Sequence, residues 1–275
     1  MRFQISINEF VRCAISTLRA YAISDLIRSK GLLFSFMGIA MWLILFILPL
    51  IFFAGEGYDK STVATFIFSG LIVFNLYMVG TWDLGWEVRL LINQGIMEYL
   101  ILTGRNPLII YFGLIPLTII WIGIVLAIGY WAVTLFVAPP RIVIVGFSEL
   151  ILASILLMLV ILSYALVLAS ITMTAGTPSF IMELVSWILP IATGGFTPLS
   201  SLPSFLKVVA LMTPFSYPAE ALRYSIGASD PVMSPHLIFM IGYLYAILFL
   251  ISALIIFKIS LNKALKEGFK TVASW

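Results

Sequence analysis

Residues 107–140 read PLIIYFGLIPLTIIWIGIVLAIGYWAVTLFVAPP, and residues 141–174 continue RIVIVGFSELILASILLMLVILSYALVLASITMT. Arg141 and Glu149 are the charged side chains in the whole stretch. A helix needs about 20 mostly apolar residues to cross the hydrocarbon core of a bilayer. Both runs exceed that length, so two spans are expected, about 107–137 and 142–174, tilted or projecting past the headgroups. Pro139-Pro140 separates them. No helix continues through adjacent prolines, which lack the backbone donor and clash with the preceding turn. The pair therefore marks a tight hairpin.

Outward from this hairpin, three further segments meet the same standard: about 31–54, 63–85 and 236–258. The stretch from Thr177 to Pro235 is broken by Pro190, Gly194, Gly195 and Pro198, and its second apolar piece, Phe205 to Met212, ends at Thr213-Pro214. It is expected to hold one span, about 178–198, followed by short helices that dip into the membrane and return. Irregular backbone at membrane depth is tolerated only where protein or a wet cavity covers it. An ordinary surface loop is the plainer alternative, since Pro and Gly mark loops generally.

Composition agrees with a bilayer as solvent. Of 275 residues, 62% are hydrophobic and 10% charged, with a mean hydropathy of +1.16; soluble domains carry about 25% charged residues. A net charge of +3 from 15 basic and 12 acidic residues is too mild for nucleic-acid binding. One cysteine and one histidine exclude an internal disulfide and a zinc site built from these types. Cys13 reads as a small apolar residue on a helix, and His236 as an interfacial imidazole. Scattered charges through Lys30 lack the pattern of a cleavable signal peptide, so the first span is expected to stay in the mature protein.

Basic residues set the expected orientation. With the N-terminus inside, Arg2, Arg12, Arg19, Arg28, Lys30, Arg89, Arg105, Lys258, Lys263, Lys266 and Lys270 lie inside, against Lys60, Arg141, Lys207 and Arg223 outside. That bias needs an even number of spans and favours six. With no internal repeat or low-complexity linker, residues 1–275 form a single transmembrane domain.

Residues 1–30 place Ile7, Val11, Ala14, Ile15, Leu18 and Ala22 on one helical face and Glu9, Arg12, Ser16 and Arg19 on the other. This is an amphipathic helix lying in the membrane interface, in contact with lipid. Residues 86–106 interleave Glu87, Arg89, Glu98 and Arg105 with apolar residues at helical spacing, and Gly95 allows a break between two short helices. Short amphipathic helices on an inside face suit a cytoplasmic partner.

The run Asn93-Gln94-Gly95-Ile96-Met97-Glu98-Tyr99-Leu100, followed by Thr103 and Pro107, resembles a signature of ABC-2 type transporter permeases. Gly195-Phe196-Thr197-Pro198, Leu202-Pro203, Phe205-Leu206-Lys207, Thr213-Pro214, Tyr217 and Ala221-Leu222-Arg223 are similar to the family's stretch between its last two spans. Members often carry more charge around the Gly-x-x-Glu core, where this chain has Ile92, Asn93, Gln94 and Ile96. The resemblance implies an all-α integral membrane protein of six spans that works as a pair, bound to two ATPase subunits. It implies docking through Glu87, Arg89, Gly95, Glu98 and Arg105, together with the N-terminal helix carrying Arg12 and Arg19. It further implies an external re-entrant segment, about 194–223, containing Gly195, Pro198, Pro203, Pro214, Tyr217 and Arg223.

The chain has no Gly-x-x-x-x-Gly-Lys-Ser/Thr phosphate loop. ATP and magnesium would belong to the partner, and no cofactor is expected here. No arrangement suggests hydrolytic chemistry, so a transport subunit rather than an enzyme is expected. Asp83, Glu149 and Glu183 lie in or near spans; an ionised carboxylate in hydrocarbon is costly. Glu149 and Glu183 either line a pathway or dimer seam or are hydrated near span ends. Trp42, Trp121, Trp131 and Trp187 read as belt or packing residues. The expected function is export of a small amphipathic compound, a lipid or a lipid-linked glycan across the cell membrane, with both termini cytoplasmic and a second permease copy or related chain as partner. The rival is an ion-coupled or uncoupled carrier, which would show deep ionisable residues or an internal repeat.

Overall fold

The computed structural model describes residues 7–27, 59–103, 107–175, 179–194 and 198–268, and every regular element among them is helical. Helix α1 covers Ile7–Ile27. Helix α2 runs unbroken from Lys60 to Asn93, with a π-helical segment, Val79–Gly85, inside it. The others are α3 (Ile96–Leu102), α4 (Ile109–Phe136), α5 (Phe147–Ala175), α6 (Ser179–Ala192), α7 (Ser204–Leu211), α8 (Ser216–Ser225) and α9 (Pro235–Glu267).

Local chemistry explains several boundaries. The Asp59 carboxylate accepts from the Thr62 N–H at 3.3 Å and from its hydroxyl at 3.1 Å, which caps α2. Helix α9 begins with Pro235, whose missing donor costs nothing in a first turn. It ends at Gly268, φ +84°.

Helix α5 is the axis of the fold. Ala153, Leu156, Leu157, Val160, Ile161, Ala165, Leu168 and Ala169 are buried at three- and four-residue spacing. Helix α9 packs along it, and α8 and the π segment pack against other parts of it. Small residues let backbones come close where lipid offers no hydrophobic drive between helices. At Gly242 of α9, an added Cβ would stand 2.8 Å from Leu156 and 3.0 Å from the Tyr217 Cβ. Helix α1 lies on the first turns of α4, where a Cβ at Gly113 would meet the Thr17 side chain at 2.5 Å.

Among the described residues, four helices are long and apolar enough to cross a membrane: α2, α4, α5 and α9. The expected first span, 31–54, lies outside the described residues. Helix α6 has 14 residues, about 21 Å at the usual rise, short of the core thickness of about 30 Å by itself. Helix α2 continues past the expected end of the second span because no breaker intervenes before Gly95. Helix α5 begins later than expected, since residues 143 and 145 are extended and donate to the carbonyls of Ile226 and Ser225 at 3.1 and 3.0 Å.

Candidate functional site

Two groups of residues stand out, one around the end of α2 that meets α1, α3 and α4, the other around α8. In the first, α2 carries Trp82, Trp86, Glu87 and Arg89 on its last turns. The Arg89 guanidinium lies 4.3 Å from the centre of the Trp86 ring, a cation–π contact that shelters a largely buried cation. Tyr21 of α1 donates a hydrogen bond to Glu87 Oε1. This ties the N-terminal helix to the end of α2, through the loop the sequence nominates.

Gly95 adopts φ +71°, a left-handed conformation that glycine reaches without steric cost. It turns the chain sharply between α2 and α3. Helix α3 then buries Met97 and Ile101 and turns Ile96, Tyr99 and Leu102 outward, at 43%, 70% and 83% exposure. Glu98 is partly buried, and its Oε2 has no hydrogen-bond partner among the described residues. On α1, Arg12 and Arg19 are exposed, as are Val11 and Ile15. Arg105 lies outside the described residues. The structure therefore gathers Arg89, Gly95, Glu87 and Glu98 at one end of the bundle, with α1 joined to them.

At the α8 group, Arg223 and Glu220 are 1% and 2% exposed and 3.9 Å apart. The Arg223 guanidinium donates to the Gly194 carbonyl, and Glu220 Oε1 accepts from the Leu199 N–H at 2.9 Å. The pair stitches α8 to the end of α6 and to the turn at Leu199–Ser201. Phe215 meets Tyr77, Tyr164 and Phe249 edge-on at 5.6–5.8 Å, joining α2, α5 and α9.

Of the expected external residues, Pro198 and Tyr217 are buried, Pro214 is half-buried, Pro203 is exposed and Gly195 lies outside the described residues. Glu220 was not legible as a partner; its three-residue spacing from Arg223 is the one signal for it. Glu149 and Glu183 are not brought together. Glu149 folds back over Gly146 in the first turn of α5, accepting from Ser148 Oγ at 2.8 Å, while Glu183 is exposed on α6. Among the described residues, no group of His, Cys, Asp and Glu is placed to hold a metal ion.

Long apolar helices packed by small residues, with an amphipathic helix at one end and short helices between spans, define a multi-span membrane protein. The family profile of ABC-2 type transporters matches residues 14–226, and the chain belongs to that family of transporter membrane subunits. No curated protein matches it. It is thus a permease component of an ABC-type transporter, of a family whose members generally work with a cytoplasmic ABC ATPase.

Proposed function

We propose that this permease is the membrane half of an exporter, driven by a separate ATPase that docks on α3, the last turns of α2 and α1. On this reading α3 and both termini face the cytoplasm, the chain spans six times, and residues 194–223 dip into the outer leaflet. Two permeases pair over two ATPases in the cell membrane, and the cargo is a small amphipathic compound.

The observation that carries the reading is the outward edge of α3. Ile96, Tyr99 and Leu102 are exposed on a helix whose other side is locked by Met97 and Ile101, and a short amphipathic helix with one free apolar edge suits a groove on a partner. Because α2 continues without a break into the turn before α3, force at this edge is applied to a span directly.

Co-purification from native membranes in mild detergent tests it, with the ATPase activity of the isolated complex as readout. The intact chain is expected to bring down a stoichiometric ATPase, and Tyr99→Asp with Leu102→Asp to lose it while the permease keeps its thermal midpoint. Purification without any ATPase, and transport in vesicles that runs without ATP, would move the protein to the class of independent carriers.

A further inference from the structure

An open surface cavity of about 610 Å³ lies between the first turns of α5 and α9, beside the end of α8. Its lining includes Glu149, Tyr224, His236, Phe239, Met240 and Tyr243. The volume falls in the range of about 300–1,000 Å³ that holds a drug-sized molecule. Met240, 57% exposed, stands at its edge.

The walls are chemically uneven in a way that selects a ligand. Glu149 contributes a carboxylate, and the lining contains no lysine or arginine. That carboxylate sits at the N-terminal turn of α5, where the helix dipole and the Ser148 hydroxyl favour negative charge. The Tyr243 hydroxyl donates to the Leu152 carbonyl at 2.8 Å, which fixes this aromatic residue in the wall. Tyr224 and Phe239 add further aromatic surface, which attracts an organic cation through its ring faces. A bare metal ion would find too few oxygen ligands. A phospholipid would bring a phosphate, and the lining holds no lysine or arginine to meet it.

We infer that this cavity binds a singly charged organic cation with an apolar tail, its ammonium between Glu149 and the aromatic rings and its tail along Met240 and Leu152. The site deepens the exporter reading by naming a cargo class, and rests on that reading only for the direction of movement. It lies on the outer side in the orientation proposed above.

Calorimetric titration of the purified chain tests the site with three probes: octyltrimethylammonium, octanol and dihexanoylphosphatidylcholine. Saturable one-to-one binding of the cation is expected, weakened tenfold or more by Glu149→Gln. Octanol should bind weakly and be indifferent to that change, while Met240→Trp should weaken both by filling the space. Tyr224→Leu keeps the carboxylate and should cost the cation several-fold, which guards against a folding defect in Glu149→Gln. Equal affinity for cation and octanol, an unaltered Glu149→Gln titration, or tighter binding of the phosphatidylcholine overturns the inference. If cation binding holds while the α3 variants still retain the ATPase, the docking proposal falls and the cavity stands. If the α3 variants lose the ATPase and the cation does not bind, the cavity falls alone.

Discussion

Replacing Arg223 by methionine would leave the buried Glu220 carboxyl without its ion-pair partner, and breaking one partner of such a pair costs about 3–5 kcal/mol. Arg223→Met is expected to lower the thermal midpoint in detergent sharply. The double variant with Glu220→Leu should recover a large part of the loss, because the carboxyl left without its ion-pair partner is gone. Gly95→Ala is a different kind of change. A Cβ there meets nothing within 4 Å, so its cost is backbone strain alone, about 1 kcal/mol at φ +71°. Gly95→Asn should be milder, since Asn tolerates the left-handed region; parallel thermal unfolding of the two variants checks the order. Gly95 was legible because a glycine inside a helical pattern marks a break. The burial of Arg223 was not, because the basic-residue bias treats every external cation as hydrated. Arg223 and Glu220 are held by the Gly194 carbonyl and the Leu199 N–H, both distant in sequence.

Helix α1 is held on α4 by a close approach at Gly113 and on α2 by the Tyr21–Glu87 hydrogen bond. Gly113→Leu is expected to lift α1 from the bundle, and Tyr21→Phe to loosen it by less. Faster proteolysis of α1 in the first variant than in the second would bear this out. At the other end of α2, the Thr62 side chain, and less so its backbone, holds the Asp59 carboxyl below its ordinary range. A depressed folded-state value means that this cap contributes above the unfolded carboxylate range and fades as pH falls through the folded value. Asp59→Asn should therefore flatten the acid limb of the unfolding profile, readable as midpoint against pH. The amphipathic character of α1 was plain in its periodicity, but its seat on α4 was not. Val11 and Ile15 remain exposed while Ala14, Thr17 and Leu18 are more covered, a division that hydrophobicity cannot make. Likewise, the continuity of α2 is not legible in the sequence, because its last turns change from apolar to amphipathic without changing period.

For the molecule as a whole, the orientation proposal makes a direct forecast. In a Cys13→Ser background, single cysteines at Lys60, Arg141 and Lys207 should react with an impermeant maleimide added outside intact cells, and one at Lys263 only after permeabilisation. The reverse pattern would invert the assignment of α3 to the cytoplasm. Helical class and four spans follow from apolar runs alone, since hydrocarbon leaves a chain few ways to satisfy its backbone. The fifth clear apolar run, 31–54, lies outside the described residues, and the number six rests on α6, where length is not decisive. Helix α2 also has a mechanical meaning. Its π segment is the point where it is gripped by α5: Gly80 and Gly85 admit the side chains of Ile161, Tyr164 and Leu168, and Thr81 hydrogen-bonds Tyr164 at 2.9 Å. Beyond that grip lie 8 residues toward α3 and 19 toward Lys60, arms of about 12 and 28 Å at the usual helical rise. A rod pivoting there has unequal arms. A push at the short one is returned at the far end with its travel roughly doubled and its force roughly halved.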